Sequence, residues 1–217
     1  PLYVSGTYAY VVDEGSEDLK IINISNPSNP TQVGTFGLGT SPESVHVVGS
    51  YAYVVDAGSD DLKVIDISDP SSPNQVGSLG IGPHPYSLHV FGSYAYVSDL
   101  DSEDLKVIDI SDPRTPTLVG NIGLGSTPRS IHVSGSYVYI VDASSYDLKV
   151  IDVSDPFNPQ QVGSLGTGGN PTDVYVTRSY AYVTDASEDE LEVIDVSDPS
   201  NPIKVGSLGG LPTPYSP

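Results

Sequence analysis

A stretch reading YAYVVDAGSDDLKVIDISD, Tyr51 to Asp69, recurs with small edits from Tyr8, Tyr94, Tyr137 and Tyr180, each copy 43 residues after the last. No residue is inserted or lost between these anchors. A period in the forties, built from short β-patterned segments, is the signature of propeller blades. Five such units fill almost all of the 217 residues and leave no room for a second domain. The reading is therefore all-β: one five-bladed β-propeller domain over residues 1–217, with blades at approximately 1–43, 44–86, 87–129, 130–172 and 173–217.

The ends are in phase, since Pro214-Tyr215-Ser216 matches Pro85-Tyr86-Ser87 and Leu2 matches Leu88. A ring of five blades would close that way, by packing of blade one on blade five. A five-repeat slice of a longer array would show the same phase. The start at Pro1 without a Met suggests a processed or trimmed chain, in which a removed secretory signal would be invisible.

In the second unit, Val45–Val48 is a short extended segment followed by Gly49-Ser50 as punctuation. Tyr51–Val55 is a second strand, rich in aromatic and β-branched residues. A polar turn over 56–61 leads to a third strand, Leu62–Ile67, interrupted only by Lys63 and Asp66. Ser68-Asp69-Pro70-Ser71-Ser72-Pro73 turns the chain again, because Asp can cap its own backbone and Pro presets φ. A glycine-rich fourth strand, Gln75–Ile81, completes the unit. Strands two and three are apolar on both sides, so each sheet needs cover on both faces, as stacked blades provide. No segment carries a 3.6-residue apolar period, and no helix is expected.

Twenty-eight Asp and Glu against eight Lys and Arg give a formal charge of −20. Such an acidic surface repels phosphate backbones and anionic lipid, which argues against nucleic-acid and membrane-surface partners. The absence of cysteine excludes disulfides and thiolate metal sites. No run approaches the ~18 apolar residues of a membrane-spanning helix, so no membrane insertion is expected.

Tyr-x-Tyr-Val-x-Asp, then Leu-Lys-Val-Ile-Asp-Ile-Ser-Asp-Pro, then Pro-x-x-Val-Gly-Ser, resembles the LVIVD-repeat proteins, kin of the YVTN surface-layer propellers, in all five units. The resemblance implies a β-propeller of bacterial or archaeal secreted and cell-surface proteins, mostly of undefined biochemical role. It brings no catalytic motif. This chain departs from the pattern at Asn23 and Asn26, at Glu192 in place of Lys, and in the Asp or Glu near the hairpin tips where many family members have Gly.

Three constellations could carry chemistry. The hairpin between strands two and three is acidic in every unit: Asp13, Glu17 and Asp18; Asp56, Asp60 and Asp61; Asp99, Asp101, Glu103 and Asp104; Asp142 and Asp147; Asp185, Glu188, Asp189 and Glu190. Several carboxylates on one turn suit calcium, although the spacing matches no established calcium loop and acids at a strand end also serve as turn caps. Tyr3, His46, His89, His132 and Tyr175 share one first-strand position. Imidazoles there could hold a transition metal or pack between blades, with the buried-looking Asp66, Asp109, Asp152 and Asp195 as partners. Finally, the residues flanking the periodic prolines vary freely: Ser41 and Glu43, His84 and Tyr86, Thr127 and Arg129, Asn170 and Thr172, Thr213 and Tyr215. As loops near a channel mouth, Glu43, His84, Tyr86, Arg129 and Tyr215 would form a ligand site.

Catalysis needs dissimilar groups in distinct roles, whereas near-identical units supply copies of one environment. Gly-x-Ser-x-Gly, His-Glu-x-x-His and a phosphate-binding glycine loop are absent from the sequence. The expectation is a non-enzymatic, cofactor-free extracellular or cell-surface module with a structural or interaction role, self-assembling into a layer or filament. The alternative is a lectin-like propeller that binds glycan or peptide through the proline-flanked loops.

Overall fold

The computed structural model describes residues 1–125 and 127–210. Among them are twenty strands and no helix, arranged as five four-stranded antiparallel sheets in the five-bladed propeller organisation. Blade one holds β1 (Leu2–Ser5), β2 (Tyr8–Asp13), β3 (Asp18–Asn23) and β4 (Thr31–Gly37). Blade two holds β5 (Pro42–Val48), β6 (Tyr51–Asp56), β7 (Asp61–Asp66) and β8 (Asn74–Gly80). Blade three holds β9 (Pro85–Phe91), β10 (Tyr94–Asp99), β11 (Asp104–Asp109) and β12 (Thr117–Gly123). Blade four holds β13 (Pro128–Ser134), β14 (Tyr137–Asp142), β15 (Asp147–Asp152) and β16 (Gln160–Gly166). Blade five holds β17 (Pro171–Thr177), β18 (Tyr180–Asp185), β19 (Glu190–Asp195) and β20 (Ile203–Gly209). Every sheet is a sequence-continuous meander.

The chain divides into two compact units: Pro1–Ala95 with Ile108–Leu118, and Tyr96–Val107 with Val119–Pro217. In the first, β6 pairs β7 so that Ala52 faces Ile65, Val54 faces Lys63 and Asp56 faces Asp61. These residues share one side of the sheet, here called face A, while Tyr53, Val55, Leu62 and Val64 alternate onto face B. Face B of blade one (Tyr10, Val12, Leu19, Ile21) packs on face A of blade two (Val45, Val47, Ala52, Val54, Ile65, Ile67). In the second unit, face B of blade four (Tyr139, Val141, Leu148, Val150) packs likewise on face A of blade five, including Val174, Val176, Ala181 and Val183. In blades one, two, four and five the fourth strand has a register shift opposite the third, for example between Val64 and Ile65. The extra residue is a bulge that bends the outer strand.

Two features differ from the sequence reading. The periodic prolines are not linkers: Pro42, Pro85, Pro128 and Pro171 each open a first strand. That is a place where a missing N–H costs the ladder nothing. The hairpin tips hold Glu17, Asp60, Glu103, Tyr146 and Asp189 at φ between 50° and 58°, the left-handed region that glycine enters freely and other residues enter at a cost. This explains why glycine belongs at those tips and why Asp or Glu there is a departure.

Candidate functional site

The acidic hairpins are built around a lysine. In blade two, Lys63 Nζ lies 2.8 Å from Asp56 Oδ2 and 2.7 Å from Asp61 Oδ1, with Asp56 fully buried. Blade three repeats this, with Lys106 Nζ 2.9 Å from Asp99 Oδ2 and 2.6 Å from Asp104 Oδ1. In blade four, Lys149 takes the same role between Asp142 and Asp147 at 2.8 and 3.2 Å. The other Asp56 oxygen accepts the backbone N–H of Gly58 at 2.9 Å, and Asp99 Oδ1 accepts that of Ser102 at the same distance. Among these calcium candidates, therefore, Asp56, Asp61, Asp99 and Asp104 already surround an ammonium. Asp60 sits at the tip and accepts the N–H of His84 at 3.4 Å, while the N–H of Asp101 donates to Asp99 at 3.2 Å. Among the described residues, no three His, Asp or Glu side chains converge as a metal-binding group.

In blade one the same hairpin is open to solvent. Lys20 hydrogen-bonds Asp13, and with Ser16 and the Gly15 N–H it holds the Asp13 carboxyl down at about 2. Blade five breaks the pattern, with Glu192 at the lysine position. Lys204 on β20 supplies the cation instead, 2.6 Å from Glu190 Oε1 and 2.9 Å from Glu192 Oε1. Lys204 stands where blades one, two and four carry Gln32, Gln75 and Gln161, so the positive charge has moved one strand outward. The move is incomplete: Asp185 Oδ2 and Glu192 Oε2 are buried without a hydrogen-bond partner. Burial pushes the Glu192 carboxyl above its ordinary range, with Lys204 pulling the other way.

The shared first-strand position is an aromatic stack. In the first unit Tyr3 and His46 have ring centroids 4.3 Å apart, and His46 and His89 are 4.8 Å apart. In the second, His132 and Tyr175 meet edge to face at 4.7 Å. Burial lowers the His132 pKa, partly offset by Asp173, which favours a neutral ring in a packing role. The acids read as buried partners of these rings are instead half-exposed turn caps. Asp66, Asp109, Asp152 and Asp195 accept the backbone N–H two residues on, from Ser68, Ser111, Ser154 and Ser197, at 2.8 to 2.9 Å. The polar turn after the third strand uses them to satisfy its own backbone.

Glu43, Tyr86 and Arg129 occupy equivalent second positions of β5, β9 and β13, all half-buried. Glu43 accepts the Ser41 hydroxyl at 3.1 Å, and the Arg129 carbonyl accepts that of Ser98 at 2.7 Å. His84 holds φ 60° just before Pro85. Tyr215 lies outside the described residues.

The sequence reading missed the glycine in the fourth strand. A Cβ on Gly34 would lie 1.9 Å from the carbonyl oxygen of Pro70, and one on Gly77 would lie 2.3 Å from that of Pro113. Gly120 against Pro156 and Gly163 against Pro199 give 2.2 Å each. The glycine of one blade is thus the socket for the turn of the next. Its 43-residue recurrence was the available signal.

None of the curated proteins matches this sequence. Solved structures do match. A functionally unknown protein from Desulfotomaculum acetoxidans DSM 771 has a TM-score of 0.84 at 15% identity, over 96% of this chain and 69% of its own. A protein from Lactobacillus plantarum gives 0.84 at 16%, over 95% and 69%. The periplasmic gluconolactonase of Pseudomonas aeruginosa gives 0.81 at 16%, over 97% and 69%. At such identities the likeness is one of fold. The LVIVD repeat is matched five times, over residues 2–37, 40–80, 85–123, 125–167 and 168–209, and this chain belongs to the LVIVD-repeat family.

Proposed function

We propose that this protein is a non-enzymatic structural and interaction module, placed outside the cell or at its surface, that self-associates. The observation that carries the reading is the repeated lysine triad. The most buried charged groups of blades two, three and four are consumed in one copied arrangement, Lys between two Asp. A catalytic site needs neighbouring groups in unlike roles and unlike protonation states, and copied ion pairs supply none. The extracellular placement rests on the resemblance to secreted and cell-surface repeat proteins.

The competing reading is a lactonase, because one structural neighbour is described as a gluconolactonase. Hydrolysis of gluconolactone and of 6-phosphogluconolactone, followed by pH-stat against a buffer blank, separates the two. No turnover above the blank is expected. Turnover that saturates with substrate would overturn the non-enzymatic reading.

A further inference from the structure

Among the described residues, the buried side-chain atoms that lack a hydrogen-bond partner are Asp185 Oδ2, Asp189 Oδ1 and Glu192 Oε2. All three belong to the hairpin that joins β18 to β19 in blade five. Asp185 and Glu192 are fully buried on face A. Face A of blade five is covered by face B of blade four within one compact unit, so this burial is independent of what lies beyond either end of the chain.

Glu192 stands at the register position from which Lys63 reaches Asp56 at 2.8 Å, Lys106 reaches Asp99 at 2.9 Å and Lys149 reaches Asp142 at 2.8 Å. Asp185 is the blade-five copy of those aspartates. Its Oδ1 keeps the turn-capping role, accepting the N–H groups of Asn170, Ser187 and Glu188 at 3.1, 2.8 and 3.0 Å. Its Oδ2, the oxygen that meets an ammonium in the sibling blades, meets none here. Lys204 is spent on Glu190 Oε1 and Glu192 Oε1. Each sibling group of one Lys and two Asp carries one net negative charge, whereas Asp185, Glu190, Glu192 and Lys204 together carry two. One more positive charge restores the sibling balance, and buried anionic oxygens left without it are costly.

We propose that a small monovalent cation, of the size of potassium or ammonium, binds between Asp185 Oδ2 and Glu192 Oε2, in the part that a lysine ammonium plays in blades two to four. The charge balance calls for a single positive charge. The ligand set agrees, because calcium takes about six to eight oxygens, several of them from carboxylates, and no three His, Asp or Glu side chains converge among the described residues. The same two-strand frame already holds an ammonium in three sibling copies. A glutamate is one bond shorter than a lysine and stops short of the point that the lysine nitrogen reaches. Such a site stands whether or not the chain self-associates.

Melting temperatures in the chlorides of potassium, ammonium and tetramethylammonium, at pH 8 and one ionic strength, test the assignment. Tetramethylammonium carries the same charge but is too bulky for a site framed for a lysine nitrogen. In about 0.5 M salt, wild type is expected to melt about 2–4 °C higher in potassium or ammonium than in tetramethylammonium. Two variants remove the general effect of each salt on stability. Glu192→Lys with Lys204→Gln rebuilds the sibling triad, and Glu192→Gln removes one acceptor charge; each is expected to lose the wild-type preference. If wild type and the folded variants shift equally from salt to salt, no cation is held in blade five and the assignment falls. A rise specific to millimolar calcium, lost in the variants, would overturn the monovalent assignment in favour of a divalent ion.

Discussion

Lys204 Nζ lies 2.9 Å from Glu192 Oε1, and this pair replaces the single lysine that serves the other blades. The exchange leaves Asp185 Oδ2 and Glu192 Oε2 buried and unpaired, each such orphan costing about 1–3 kcal/mol. The double variant Glu192→Lys, Lys204→Gln rebuilds the pattern of Lys63 and Gln75. Denaturant unfolding should show it more stable than wild type by about 1–3 kcal/mol, and a less stable double variant would contradict the geometry.

Glu192 also gives the stability a definite pH dependence. Its pKa is raised in the folded state by burial, so the folded chain holds that proton more tightly than the unfolded chain does. The contribution is present below the unfolded value and is lost as pH rises through the folded one. Asp66, Asp109, Asp195 and Asp198 have the opposite sign. Hydrogen bonds from the following serines lower their pKa values, so their contribution is present above the unfolded value and lost as pH falls. Melting temperatures of wild type and Glu192→Gln should diverge as pH rises from 4 to 7, with the variant the more stable at pH 7. Parallel curves would contradict this.

Lys63 sits among carboxylates with Asp56 wholly buried. Lys63→Met leaves that charge unpaired and should cost about 3–5 kcal/mol, read by denaturant unfolding. Because an ammonium already occupies the centre of the hairpin, wild type should melt at one temperature in chelator and in millimolar calcium. A calcium-dependent rise would show that the tips, at Asp60 and Asp101, bind the ion.

Socket glycines offer an internal control. Gly77→Ala drives a Cβ to 2.3 Å from the Pro113 carbonyl oxygen, whereas Gly206→Ala meets nothing. The first should lower the melting temperature by several degrees, consistent with a cost of about 1–3 kcal/mol. The second should leave it unchanged in dilute solution. Equal effects would refute the socket.

Glu103 holds φ 54° at its hairpin tip while its carbonyl accepts the Leu124 N–H at 2.7 Å. Glu103→Gly keeps that bond and relieves the left-handed penalty of about 1 kcal/mol, so thermal unfolding should rise or hold. A clear fall would mean that the side chain contributes more than the backbone strain costs.

The repeat made the fold legible. Alternation along Tyr51–Val55 and Leu62–Ile67 specified two apolar faces per strand, and the structure buries both in the inner blades. What escaped was pairing across strands. Lys63 reads as an interruption of an apolar run, yet it is buried because Asp56, across the β6–β7 hairpin, and Asp61, two residues earlier on its own strand, lie beside it. Asp66 reads as buried, yet it caps the next turn. In both cases the deciding partner is a register neighbour or a backbone N–H, and neither shows in a one-dimensional pattern. Lys204 could have been found by asking what compensates Glu192 within its own 43-residue unit.

Sedimentation equilibrium of the unmodified chain, across concentration and at low and high salt, tests the central proposal that the protein self-associates. The weight-average mass should climb from 22.8 kDa towards whole multiples, more steeply in 1 M salt than in 0.1 M. A mass fixed at 22.8 kDa under every condition would contradict it.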